Sequence, residues 1–202
     1  MFVGDDPALE NALAASDKAG LPAIAVSPPQ GKQLYLMAMM AGAQRILEIG
    51  TLGGYSTIWL ARALPSAGRM ITLEADPKHA DVALANLRDA GLGNKVEVLV
   101  GRALDTLPGL TGPFDFFFID ADKPSIPDYF QWSLRLSRPG SVIVVDNVVR
   151  DGAIIDADGD AAVKGVRRFN EMVAAEKRVT GTTIQTVGSK GYDGFALLLV
   201  KG

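Results

Sequence analysis

The feature that most restricts the fold is an alternation. Short, almost continuously apolar runs of strand length are separated by longer stretches with helical spacing. Arg45–Ile49, Arg69–Leu73, Val96–Val100, Phe114–Ile119 and Ser141–Val145 are such runs. Between them the sequence predicts helices over Thr57–Leu64, over Pro77–Ala90 with Asp76 as cap, and over Asp128–Leu136, with a short turn after Gly101. Strands apolar along their whole length are buried on both faces, which points to a parallel sheet covered by helices. Two helices precede the first strand. One opens at Asp6-Pro7 and stops near Gly20-Leu21-Pro22; the other opens at Ser27-Pro28 and closes at Gly42. A longer amphipathic helix is expected at Ala161–Glu176, with Val163, Val166, Phe169 and Val173 on one face.

The carboxyl-terminal end breaks the pattern. Thr183–Val187 and Phe195–Val200 read as strands separated only by the residues from Gly188 to Gly194. No crossover helix fits into so short a connection, so these two strands must pair antiparallel. The expected fold class is therefore α/β: a doubly wound, mostly parallel seven-stranded sheet with a C-terminal antiparallel hairpin. No linker, repeat or low-complexity segment interrupts the chain, which predicts a single domain over 1–202. Ligands of such sheets bind beyond the carboxyl ends of the strands, so functional residues are sought there.

Composition narrows the chemistry. The sequence has no cysteine and one histidine, His79, which excludes a disulfide scaffold, thiolate zinc, iron–sulfur ligation and most multi-histidine metal sites. Lys and Arg number 20 against 23 Asp and Glu, a net charge of -3 that argues against a nucleic-acid partner. The longest apolar run, Leu34 to Ala43, is too short to span a bilayer, and the start lacks a signal peptide's basic and apolar regions. A cytoplasmic enzyme or small-ligand binder, with no membrane partner, is the expectation. His79 lies within a predicted helix and reads as a solvated residue with no catalytic part.

The strand ends carry the informative residues. After the first strand come Glu48, Gly50, Thr51, Gly53, Gly54 and Ser56, a glycine-rich turn leading into a helix. Its spacing is not the dinucleotide G-x-G-x-x-G. The second strand ends in Glu74, placed to take the two hydroxyls of a ribose. The third ends in Gly101-Arg102-Ala103. The fourth ends in Asp120-Ala121-Asp122-Lys123 and the fifth in Asp146-Asn147. Two carboxylates and an amide oxygen on neighbouring strand ends make a hard, all-oxygen donor set suited to magnesium, manganese or calcium. A partly desolvated lysine beside such a cation loses proton affinity and can act as a base, which singles out Lys123.

In these residues the sequence resembles the class I S-adenosylmethionine-dependent methyltransferases. It resembles most closely the metal-dependent O-methyltransferases that include catechol and caffeoyl-coenzyme A O-methyltransferases, in their short bacterial form. The stretches LEIGTLGGYST, FFFIDADK, VVDNVV and the final KGYDGFALLLV carry the likeness, which runs from about Val26 to the end. The resemblance implies a Rossmann-like fold and transfer of the S-adenosylmethionine methyl group to one hydroxyl of a vicinal diol on a phenol, with a divalent metal, magnesium first, as second cofactor. It implies that Val26, Glu48, Gly50, Thr51 and Ser56 hold the methionine side of the cofactor, Glu74 its ribose and Ala103 its adenine, with Asp122 nearby. It implies that Asp120, Asp146 and Asn147 ligate the metal, that Lys123 is the general base and that the protein is a homodimer.

Members acting on coenzyme A esters carry a basic amino-terminal segment, whereas residues 1–26 here hold one basic residue, Lys18, which argues against a polyphosphate ester as acceptor. Asp151, Asp156, Asp158 and Asp160 make the loop after the fifth strand acidic, an expectation of a neutral or cationic acceptor group there. Two rivals remain. A nicotinamide-dependent oxidoreductase is opposed by the glycine spacing and by the lack of any Tyr-x-x-x-Lys. A non-catalytic S-adenosylmethionine-binding module would need neither Lys123 nor the metal set.

Overall fold

The structure is a computed structural model that describes residues 2–188 and 191–202. Among them seven strands form a mostly parallel sheet with an antiparallel carboxyl-terminal hairpin, as the alternation predicts. The chain divides into two compact units, Met1–Pro108 and Gly109–Gly202.

In the amino-terminal unit, β1 (Arg45–Ile49), β2 (Arg69–Glu74) and β3 (Val96–Val100) run parallel in the order β3-β2-β1. Helix α1 (Pro7–Lys18) starts at Asp6, whose side chain accepts the Leu9 N–H and also pairs with Arg62 of α3 (Tyr55–Ala63). The Arg62 guanidinium, helped by the Leu9 amide, holds the Asp6 carboxyl below its ordinary value. Helix α2 (Pro28–Met40) is capped by Ser27 and packs on α3 through Gly31. A Cβ there would fall 2.3 Å from the Trp59 ring, so only glycine admits the indole. Helix α4 (Pro77–Asp89) is capped by Asp76 as expected, and α5 (Ala103–Thr106) is the short turn after Gly101. Helix α3 starts at Tyr55, two residues before its predicted beginning, because the left-handed Gly54 (φ 83°) turns the chain directly into it.

In the carboxyl-terminal unit the order is β4-β5-β7-β6, for β4 (Phe114–Ile119), β5 (Ser137–Asp146), β6 (Val179–Gly188) and β7 (Gly191–Val200). All six residues of β4 are buried, which is what a central parallel strand requires. Helices α6 (Ile126–Leu136) and α7 (Ala161–Ala175) meet edge to face through Phe130 and Phe169, ring centres 5.4 Å apart. The hairpin is longer than expected. Gly191-Tyr192-Asp193-Gly194, predicted as connection, are ladder residues opposite Gly188, Val187, Thr186 and Gln185. Backbone pairing tolerates these weak strand formers because the long partner strand supplies the hydrogen bonds. Ser189 and Lys190 of the expected connection lie outside the described residues. No helix of the described residues is long and apolar enough to cross a membrane.

Candidate functional site

The residues singled out at the strand ends fall into two groups, one in each unit. In the amino-terminal unit, Gly50 (φ 100°), Leu52 (φ 49°) and Gly54 (φ 83°) bend the chain between β1 and α3. The turn closes around Glu74 from the end of β2. Its Oε2 accepts the N–H groups of Thr51 at 3.1 Å and Leu52 at 2.8 Å, and its Oε1 accepts the Asp76 N–H at 3.0 Å. A turn whose amides already serve a carboxylate is poorly suited to cradle a pyrophosphate, which weighs against the dinucleotide rival on grounds the spacing alone did not give.

Glu48 is fully buried. Its Oε1 accepts the Ser56 hydroxyl at 2.7 Å, while its Oε2 accepts the hydroxyls of Thr72, at 2.6 Å, and Thr57. Thr72 is also hydrogen-bonded to the Thr51 hydroxyl. Glu48 and Ser56 therefore stand as a pair, with the acid fixing the hydroxyl at the start of α3. Val26 and Ala103 are buried at 8% and 9% exposure, Ala103 at the start of α5. Gly53 is closely packed, since a Cβ there would overlap the Ser16 hydroxyl, and its carbonyl accepts from Asn86 at 2.8 Å. His79 departs from the sequence reading. Its side chain is only 21% exposed and its Nδ1 lies 3.5 Å from Glu74 Oε1. Helix α4 begins so soon after β2 that its first turn folds back onto the strand-end acid.

The second group lies in the carboxyl-terminal unit. β4 and β5 pair in parallel with Ile119 opposite Val145, so the next residues, Asp120 and Asp146, leave the two strands at the same level. Neighbouring strands are about 4.8 Å apart, a spacing at which two carboxylates can share one cation. Asp120 Oδ1 accepts from Lys123 Nζ at 2.8 Å, with the lysine side chain only 12% exposed. Asp122 accepts the Tyr129 hydroxyl. Asp146 is 5% exposed and its Oδ1 accepts the Asn147 N–H at 2.8 Å.

Asn147 has a left-handed backbone (φ 58°), and its side-chain Nδ2 donates to Asp193 Oδ2 at 3.1 Å. Committing the amide nitrogen in this way leaves Oδ1 as the face an incoming cation meets. The donor set thus fits a hard divalent metal: two carboxylates and an oriented amide oxygen, all oxygen. Among the described residues no three His, Cys, Asp or Glu side chains cluster for a metal.

Two supporting residues escaped the sequence reading. Asp193 Oδ1 accepts the N–H groups of Val149 at 3.1 Å, Arg150 at 2.8 Å and Gly194 at 2.8 Å, and so holds the start of the loop after β5. It reaches that loop because β5 and β7 pair antiparallel with Asp146 opposite Phe195. Gly165 of α7 lets the helix lie against the Lys123 backbone, since a Cβ there would fall 2.3 Å from the Lys123 carbonyl oxygen. Neither carries a motif signal; the only hint for Asp193 was its place in the KGYDGF stretch that carries the resemblance.

A doubly wound sheet with a glycine turn after β1, a carboxylate ending β2 and acids ending β4 and β5 defines an S-adenosylmethionine-dependent methyltransferase. The chain belongs to the O-methyltransferase family, whose model matches residues 3–199. It is similar to the catechol O-methyltransferases of Mycobacterium tuberculosis, 58% identical over 99% of this chain and 91% of that protein, and of Niastella koreensis, 56% identical over 98% and 91%. Among solved structures it matches the O-methyltransferase TomG of Streptomyces achromogenes, involved in tomaymycin synthesis and in complex with S-adenosylmethionine. That match has a TM-score of 0.97 and 57% identity, and covers 100% of this chain and 93% of that one.

Proposed function

We propose that this chain transfers the methyl group of S-adenosylmethionine to one hydroxyl of a catechol-like acceptor with the help of a divalent metal, magnesium before manganese or calcium. One observation carries the reading. The ends of β4 and β5 present Asp120 and Asp146 at one level, with an oriented Asn147 directly after the second and Lys123 paired to the first. A non-catalytic cofactor-binding module has no use for this arrangement. The relatives named catechol O-methyltransferase support the acceptor class. The family match across both units supports treating 1–202 as one methyltransferase domain.

The cofactor supplies an electrophilic sulfonium methyl, and a metal held by Asp120, Asp146 and Asn147 supplies the positive charge that favours a phenolate. The chain does the rest. Glu74 meets the ribose hydroxyls through Oε1, which accepts one backbone amide against two on Oε2, and Ala103 backs the adenine. Val26, Gly50, Thr51 and the Glu48–Ser56 pair border the methionine end, and Asp122, fixed by Tyr129, stands near the cofactor. Lys123 Nζ takes the acceptor's hydroxyl proton. Most of the acceleration then comes from holding oxygen, methyl carbon and sulfur in line. We place the enzyme in the cytoplasm as a homodimer, without nucleic-acid or membrane partners.

The test is transfer of labelled methyl from S-adenosylmethionine to a panel of catechols, with magnesium and with excess chelator. Chelator-sensitive transfer that is lost in Lys123→Ala and Asp146→Ala is the expected result. Transfer that survives both chelator and Asp146→Ala overturns the metal-assisted reading.

A further inference from the structure

Within the carboxyl-terminal unit a cavity of about 330 Å³ opens beside Asn147, lined by Arg150 and by the carboxylates of Asp151, Asp160 and Asp193. By composition alone such a cavity favours a neutral or cationic group. The hydrogen bonds set one lining residue apart from the acids. Asp193 accepts three backbone N–H groups and the Asn147 amide. Asp160 caps α7 by accepting the Val163 N–H at 2.8 Å, and Asp151 accepts the Tyr192 N–H at 3.2 Å. Each carboxylate of the lining therefore already has at least one donor of the chain's own.

Arg150 is the opposite case. Its Nε is buried with no hydrogen-bond partner, and the guanidinium belongs to none of the ion pairs among the described residues. A buried donor without an acceptor is costly, and a charged one more so. Its backbone lies in the left-handed region (φ 52°), unusual for arginine, and is pinned there by the bond from its N–H to Asp193. Backbone strain held in place by surrounding contacts is commonest at ligand sites. A planar guanidinium in no ion pair matches a carboxylate, which it can bind through two parallel hydrogen bonds.

We propose that Arg150 is a specificity-determining residue whose guanidinium takes a carboxylate substituent of the phenolic acceptor. This rests on the functional reading above for the remainder of the acceptor. The experiment compares protocatechuate with its methyl ester, which differ at the acid group alone, in the wild type, Arg150→Gln and Arg150→Lys. In Arg150→Gln, kcat/KM for the acid falls by roughly thirty-fold, the worth of a charge-assisted pair, while the ester stays close to wild type. Arg150→Lys retains an intermediate preference. Equal losses on acid and ester, or an unchanged preference for the acid, overturn the proposal. Calorimetric binding of the same two compounds reads the preference without turnover. Arg150-dependent binding of the acid with no methyl transfer to either compound sinks the functional reading and leaves this one standing.

Discussion

The two groups of strand-end acids solve the same problem differently. In the amino-terminal unit the acids proposed for the cofactor are themselves the anchors of their surroundings. Glu74 holds the turn amides of Thr51 and Leu52, and buried Glu48 gathers the hydroxyls of Ser56, Thr57 and Thr72. In the carboxyl-terminal unit the anchoring falls to a separate residue. Asp193, from β7, collects the Val149 and Arg150 amides and the Asn147 side chain, so that one proposed metal ligand, Asn147, is positioned through it. A site whose ligands are also its scaffold ties binding to stability. A site with a dedicated scaffold residue allows the two to vary separately.

The sharpest way to break that comparison is Glu48→Ala. It leaves three buried hydroxyls without their acceptor, at a cost of roughly 3 kcal/mol. For a chain of this size that corresponds to a fall in Tm of roughly 8 °C by calorimetry. Cofactor affinity is expected to fall with it. A Tm unchanged within error means that the acid is not the anchor described.

Asp193→Ala is the contrasting case. Loss of a residue that orients a metal ligand weakens metal affinity by roughly 10–100-fold. Magnesium-dependent activity titrations should show this shift, while calorimetric S-adenosylmethionine binding stays near the wild-type value. Equal weakening of metal and cofactor binding shows that the two groups are not separable in this sense.

The smallest effect is expected at a charged pair outside both groups. Hydrogen bonds from Arg178 lower the Glu176 carboxyl from 4.5 to about 2. A depressed carboxyl pKa stabilises the fold above the unfolded value, and that contribution is lost as pH falls from about 4.5 through about 2. The Arg178 side chain is 60% exposed, so screening limits the pair to at most about 0.5 kcal/mol. Glu176→Gln should therefore flatten the acid limb of the stability curve slightly and leave methyl transfer at neutral pH unchanged. A change in kcat/KM at neutral pH would connect this turn to the site.

Much of this was legible in the chain, and the limits of that legibility are specific. The parallel strands, the capping of α1, α2 and α4 by Asp6, Ser27 and Asp76, and the antiparallel hairpin all follow from local spacing. So does the placement of acids at strand ends, because the last residue of a strand is fixed by where its apolar run stops. These are properties of contiguous residues, and the sequence by itself determined them.

What a carboxylate touches is not such a property. The sequence placed Glu48 beside the glycine turn but did not show that three hydroxyls claim it, one of them from β2. It treated His79 as solvated because the folding of α4 back onto Glu74 depends on how tightly the chain turns after β2. It passed over Asp193, whose role depends on a register that sets Asp146 opposite Phe195, and over Gly165, whose lack of a side chain matters only where α7 meets the Lys123 backbone. It read the loop after β5 as acidic but did not show that Asp151, Asp156 and Asp160 each accept a backbone N–H, or that the Arg150 Nε is buried without a partner. Strand ends are set by hydrophobic patterning along the chain. The partners of a buried charge are set by register and packing between distant segments, and only the tertiary structure decides them.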